Sequence, residues 1–180
     1  MDRIEQLRLR LLVVKCQIGQ RPAWEELYRR FNPAIGYYLR RLIGDENAAD
    51  VQQEVWLIVV RNLARLNSPE AFVVWLYRIA RSKAMALLGA EQKHVPLNEQ
   101  TAQEIEDQEQ EDFSAADARR VHAALEKLSP EHRDVLLLRF MEELSYEQIA
   151  EVVGCGVGTI RSRIHYAKSA LRRQLENDDD

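Results

Sequence analysis

Gly154-Cys155-Gly156 splits an otherwise helical apolar pattern into a short run and a long one, and that break constrains the fold more than any other feature. Ser145 precedes the short run and has Gln148 three residues on, the spacing of a capping box. Ile149, Ala150 and Val153 share one face at helical spacing. Gly154 suits the left-handed position past a helix end. The long run starts near Val157, with Ile160, Ile164, Ala167 and Leu171 as its buried stripe. It also carries Arg161, Arg163, Lys168, Arg172 and Arg173, with no acid before Glu176. The spacing predicts a short helix, a tight turn and a longer helix. A helix apolar on one side and basic on the other can pack on its own domain while lying in a DNA major groove. The plainer alternative is a basic, solvated helix in an ordinary bundle.

A net charge of −4 argues against a nucleic-acid partner until it is divided along the chain. Residues 1–95 hold 15 Lys/Arg against 10 Asp/Glu, and residues 118–176 hold 10 against 8. Residues 96–117 hold 8 acids and no base, and the chain ends on Asp178, Asp179 and Asp180. Both candidate domains are therefore mildly basic, and the acidity sits between and after them. The apolar fraction of 46% is that of a globular chain, and glycine and proline are sparse and lie at boundaries, which predicts an all-α fold. Cys16 and Cys155 make no CxxC pair, so reduced thiols are expected. No apolar run nears the roughly 20 residues that span a bilayer, so no membrane insertion is expected. The start MDRIEQLRLRLLVVKCQIG mixes acids with bases and continues in helical period, unlike a signal peptide, which makes the cytoplasm the expected location. His94, His122, His132 and His165 lack ligand spacing, and there is no phosphate-cradling glycine loop or nucleophile elbow. No catalytic residue, metal or cofactor is expected.

Ile4, Leu7, Leu11, Val14 and Ile18 space a first amphipathic helix, stopped at Gly19. Pro22 suits a helix start, and Trp24, Leu27, Tyr28 and Phe31 continue the apolar face. Asn32-Pro33 predicts a break or kink before a further helix to Gly44. Asp45 opens a longer helix through Leu66, with Val51, Val55, Trp56, Ile58, Val59 and Leu63 facing inward. After the turn Asn67-Ser68-Pro69, a helix from about Glu70 to Leu88 has Phe72, Trp75, Leu76, Ile79 and Ala80 as its inner stripe. Residues 91–113 have the composition of a flexible acidic linker, expected to shield the basic surfaces at low salt. Ser114 opens a helix through Leu128, and Ser129-Pro130 starts another carrying Val135, Leu136, Leu138 and Met141.

Two distant stretches resemble one family. Leu128-Ser129-Pro130, Leu138-Arg139-Phe140, Ser145-Tyr146, Ile149-Ala150 and Gly158-Thr159-Ile160-Arg161-Ser162-Arg163 look like region four of the extracytoplasmic-function sigma factors of bacterial RNA polymerase. Asp50, Gln53, Glu54, Val55 and Trp56, then Phe72, Trp75-Leu76 and Ile79-Ala80-Arg81, resemble region two of the same family. The resemblance implies a region-two domain over residues 1–90, a linker over 91–113 and a helix-turn-helix domain over 114–176. It implies that the chain binds core polymerase, directs it to a promoter and helps open the duplex, with no catalysis of its own. It admits an anti-sigma factor as a further partner.

By the same resemblance, Asp50, Gln53 and Glu54, at i, i+3 and i+4, form the polymerase-docking face, where carboxylates can accept bonds from arginines. A solvated acidic face is the alternative. Arg78, Arg81, Ser82 and Lys83, with the loop 62–70, are implied to take the downstream promoter element as a single strand. Trp75 and Tyr77 interleave aromatics with these cations, Trp75 in phase with the core. Ser82, Ala86 and Gly89-Ala90-Glu91 stand where the family often has Asn, Asp and a basic run, which predicts fewer phosphate contacts. Thr159, Arg161, Ser162, Arg163, His165, Tyr166 and Lys168 are the candidates for the upstream element. Arg161 and Arg163 are its expected base readers, since Arg pairs bidentately with guanine. Arg172 and Arg173 serve equally well as complements to the helix dipole. Two other readings remain: a helix-turn-helix regulator that does not recruit polymerase, and a polymerase-binding module that opens promoters weakly.

Overall fold

The structure, a computed structural model, describes residues 3–91 and 115–177. Every regular element among the described residues is helical. They fall into two compact units that divide between Lys93 and His94. The expected linker falls almost wholly outside the described residues, as does the Ser114 cap.

In the first unit, α1 (Arg3–Gln17) buries Leu9, Leu12, Val13 and Cys16. The five positions that space this helix in the sequence are instead its outer face, with Ile4, Leu7, Leu11, Val14 and Ile18 all exposed. The helix is apolar on two sides, and the regular stripe is not the one that packs. Burial pushes the Cys16 thiol up to about 11, leaving it protonated and inert.

α2 (Arg21–Ile43) runs through Pro33 without a break. Proline inside a helix removes a ladder bond and costs about 3 kcal/mol, so something must hold the segment. Gln52 Nε2 donates to both the backbone oxygen and Oδ1 of Asn32 (2.6 Å each), and Trp56 Nε1 donates to the same Oδ1 (3.0 Å). Both partners lie on α3 (Asp45–Asn62). A Cβ on Gly36 would come within 2.9 Å of the Gln52 amide, so the glycine makes room for this clamp.

α3 ends at Asn62, four residues before the expected Leu66, and a 3₁₀ turn Leu63–Arg65 follows. A second 3₁₀ turn, Pro69–Ala71, leads into α4 (Phe72–Glu91). Leu27, Ile35, Tyr38 and Leu39 of α2, Val55 and Val59 of α3, and Phe72, Leu76 and Tyr77 of α4 form one core. Two edge-on aromatic pairs lock α2 to α4: Tyr38 on Tyr77 at 5.5 Å and Phe31 on Phe72 at 5.2 Å. Each such pair adds about 0.5–1.5 kcal/mol to the burial.

In the second unit, α5 (Ala115–Glu126) is followed by α6 (Pro130–Leu136), whose cap Ser129 accepts from the His132 amide at 3.3 Å. Arg133 donates to the carbonyls of Leu125 (2.8 Å), Glu126 and Leu128 (3.1 Å), closing the end of α5. A wide helical turn, Leu137–Met141, buries Leu137 and Leu138 but turns Phe140 and Met141 outward. Met141 thus leaves the inner stripe expected of it.

α7 (Tyr146–Val153) opens on the full capping box: Ser145 Oγ accepts from the Gln148 amide (3.2 Å) and Gln148 Oε1 from the Ser145 amide (2.9 Å). Gly154 adopts the left-handed conformation, φ 80° and ψ 36°, and its amide donates to Ala150 O at 2.8 Å. The long α8 (Val157–Asn177) then buries Ile160, Ile164 and Ala167. This is the predicted helix-turn-helix.

Candidate nucleic-acid and polymerase interfaces

Asp50, Gln53 and Glu54 are all exposed on α3. Glu54 Oε2 meets Lys83 Nζ of α4 at 2.8 Å. A residue expected at the polymerase and one expected at DNA therefore partly neutralise each other. Gln53 also borders a groove between α2 and α3 lined by Trp24, Tyr28, Trp56, Leu57 and Val60. Leu57 and Val60 are exposed, at 48% and 59%. The acidic face thus continues into an apolar one. Sequence reasoning missed it because Leu57 and Val60 lie off the inward phase of α3 and read as incidental.

On α4, Arg78 and Ser82 are exposed, while Arg81 and Lys83 are half-buried. Tyr77 is buried against Tyr38 and offers no ring to a base. Trp75, expected in the core, is half-buried instead: with Ile58, Asn62, Arg65, Leu66, Asn67, Ser68 and Ile79 it lines a cavity of about 460 Å³. The chain around this cavity is held from α1. Gln17 Nε2 donates to Leu63 O (3.0 Å) and Leu66 O (2.8 Å), and Arg10 pairs with Glu70 at 3.6 Å. Asn62 Nδ2 donates back to Ile58 O at 2.9 Å. A hydrogen bond from its own backbone amide, aided by Arg10 and Ser68, holds the Glu70 carboxyl below its ordinary value. An aromatic wall, an arginine and amide side chains around an open cavity are what a single unstacked base requires.

On α8, Arg161 and Tyr166 are exposed, and Thr159, Ser162, Arg163, His165 and Lys168 are half-buried. Ile160, Ile164 and Ala167 anchor the inner side, with Arg161 and Lys168 near one azimuth on one flank and Arg163 on the other, beside His132. The Arg161 guanidinium lies 5.9 Å from the Tyr146 ring centre, and Arg139 lies 5.1 Å from the same ring. Lys168 Nζ sits 5.9 Å from the Phe140 ring centre. His165 meets Tyr166 edge-on at 5.6 Å. The Ser162 hydroxyl bonds to its own helix, at Gly158 O (3.2 Å) and Thr159 O (3.0 Å). The Glu147 carboxyl is held below its ordinary value by its own backbone amide, the Ser145 hydroxyl and Arg161. Burial, and then the charge of Arg163, hold the His132 imidazole below its ordinary value.

Tyr146 and Phe140, quoted above only within the family resemblance, lie against Arg161 and Lys168. Tyr146 lies in phase with Ile149 and Ala150, a spacing that reads as core. Only the return of α8 shows that an arginine rests on its ring. Among the described residues, no group of His, Cys, Asp and Glu side chains could hold a metal ion. None of their helices is long and apolar enough to cross a membrane.

With this geometry in place, comparison with known proteins is direct. Residues 27–93 match the family "Sigma-70 region 2", and residues 118–171 match "Sigma-70, region 4". The ECF RNA polymerase sigma-E factor of Haemophilus influenzae is 30% identical over 96% of this chain and 97% of its own. The RNA polymerase sigma-H factor of Pseudomonas aeruginosa is 33% identical over 92% of each chain. Two solved structures share the fold. CnrH, solved with the cytosolic domain of CnrY, superposes with a TM-score of 0.71 at 24% identity, over 94% of this chain and 98% of its own. The sigma factor RpoE of Bartonella quintana, solved with the anti-sigma factor NepR, gives 0.65 at 22%, over 85% and 96%.

The chain belongs to the extracytoplasmic-function sigma factors of bacterial RNA polymerase. Its work is that of the family: to join core polymerase and direct transcription initiation at promoters. The regulator that never recruits polymerase is not favoured.

Proposed function

We propose a division of that work among the residues described above. Residues 1–90 form the region-two domain and dock polymerase through Asp50, Gln53 and Glu54, extended by the apolar groove at Leu57 and Val60. Arg78, Arg81, Ser82 and Lys83 hold the downstream element as a single strand, and the cavity beside Trp75 takes one of its bases. Residues 114–176 form the region-four domain, joined through 91–113. Its Thr159, Arg161, Ser162, Arg163, His165, Tyr166 and Lys168 face the upstream element, with Arg161 and Arg163 reading bases. The chain supplies binding energy and leaves the chemistry to the polymerase, so it needs no cofactor and works in the cytoplasm. Relatives solved with CnrY and with the anti-sigma factor NepR support an anti-sigma partner here too.

One observation carries this reading: α8 has cations on both flanks while Ile160, Ile164 and Ala167 fix its inner side. A run-off assay with purified core polymerase and genomic promoter fragments tests it. Promoter-specific transcripts are expected. Polymerase binding without transcripts would leave only a docking module.

A further inference from the structure

The outer face of α1 is unexplained by any of this. Ile4, Leu7, Leu11, Val14 and Ile18 are spaced 3, 4, 3 and 4 residues apart, which is the a/d seam of a coiled coil. They are 59%, 55%, 56%, 40% and 67% exposed, five of the eleven large apolar side chains exposed among the described residues. Ile18 follows the helix proper, but its amide still donates to Val14 O at 3.1 Å, so the seam stays in register to its end. The inward face (Leu9, Leu12, Val13 and Cys16) occupies other positions of the heptad. The seam therefore plays no part in holding the unit together.

The residues bordering the seam say what can cover it. With Ile4 at a, the e positions are Arg8 and Lys15, and the g positions are Arg3, Arg10 and Gln17. Four of these five flanking positions are cationic. Arg10 is shared with Glu70, and Arg3, Arg8 and Lys15 make no ion pair among the described residues. A second copy would set like charges against each other in either orientation, e against g in a parallel pair and e against e in an antiparallel one. The acidic stretch 91–113 has the right charge but not the seam. Its best register offers Val95, Ala102 and Ile105, and Pro96 interrupts it.

We infer that the outer face of α1 docks an amphipathic helix of another protein, one with apolar residues at heptad spacing flanked by Glu or Asp. Apolar burial along the seam would supply affinity, and the two cationic rails would select acidic flanks and fix register. This goes beyond the sigma-factor reading and does not rest on it.

The test uses the full chain and a synthetic peptide of about three heptads with Ile at a, Leu at d and Glu at e and g. A counterpart carries Lys at e and g. Fluorescence anisotropy is expected to show saturable binding of the Glu peptide that weakens as salt rises. The Lys peptide should bind at least about tenfold more weakly. Leu7→Glu combined with Leu11→Glu should weaken the Glu peptide by more than about tenfold. Because both leucines are exposed, its helix content and core-polymerase binding should be unchanged. Arg8→Glu with Lys15→Glu leaves Arg3 and Arg10 facing two new acids and should abolish the preference between the peptides. Equal binding of both peptides to the native chain, or of neither, overturns the proposal. So does self-association of the native chain that the Leu7/Leu11 variant abolishes, which would make the occupant a second copy. Loss of polymerase binding in that variant would assign the seam to polymerase docking, again overturning the proposal while leaving the sigma-factor reading intact.

Discussion

Glu54 and Lys83 join α3 to α4 through a single ion pair, Oε2 to Nζ at 2.8 Å, with both side chains partly in water. An exposed pair of this kind contributes roughly 0–1 kcal/mol to stability, so its interest lies in which partner each residue can otherwise serve. Glu54→Gln should weaken core-polymerase binding and leave single-stranded promoter binding unchanged. Lys83→Met should do the reverse. Pull-down and strand-binding titrations on the two folded variants check this. If both activities fall together in each, the pair is only a brace between helices.

Arg161 leans on the Tyr146 ring, and Glu147 stands near enough for each charge to feel the other. Arg161→Ala should cost about 1–3 kcal/mol on the cognate upstream element and relax selectivity there. Tyr146→Leu should cost about 0.5–1 kcal/mol in the same direction, by releasing the guanidinium. Lys168→Ala should weaken all sequences alike and lower the salt slope by about one. Binding to cognate and scrambled duplexes across a salt series separates the three. Equal losses on both duplexes for Arg161→Ala would reduce α8 to an electrostatic surface.

Arg133 is a structural cation. It satisfies three carbonyls at the end of α5, and burial makes its charged form harder to keep than usual. Arg133→Met removes these side-chain donors, leaving Leu125 O only the Leu128 amide, and should destabilise the second unit by about 1–3 kcal/mol. Arg133→Lys, with a single ammonium for a forked site, should recover only part of that. Urea unfolding gives the numbers, and a change below about 0.5 kcal/mol would show that water replaces the clamp.

His132 supplies a pH dependence with a definite sign. Its folded value lies below the ordinary 6.5, through burial first and Arg163 second, with Glu131 opposing. Between the two values the unfolded chain binds more protons, so stability rises with pH. The contribution is complete above about 6.5 and is lost as pH falls from there through the folded value. His132→Gln should flatten that part of the stability profile. An unchanged slope between native and variant would place the titration elsewhere.

The second unit was the more legible in sequence. The capping box at Ser145, the Ser129-Pro130 start and the left-handed Gly154 are local chemistry, and each appears where its residues predicted it. Errors came where tertiary contacts override local pattern. Pro33 reads as a break until Gln52 and Trp56 arrive from α3 to hold Asn32. The stripe of α1 reads as an inner face because periodicity cannot tell which of two apolar sides is covered. Trp75 is in phase with the core, but the turn that follows α3 opens a cavity beside it. At the proposed site, residue types and helix faces were readable, whereas the contacts of Tyr146 and Phe140 with Arg161 and Lys168 were not, because they act across elements.

The clamp from Gln17 to Leu63 and Leu66 also sets a timetable for synthesis. It closes over 46 and 49 residues of chain, whereas the Arg133 clamp closes over 8 or fewer. During translation at about 5–20 residues per second, α1 leaves the ribosome several seconds before its anchors exist. Through that interval the inner side of the helix has only α2 to pack on, and the outer side is bare. The second unit closes its local Arg133 clamp sooner. Its α5 must still wait for the end of α8, where Arg120 Nη2 donates to Leu175 O across 55 residues. Each unit is thus complete only once its final helix is made.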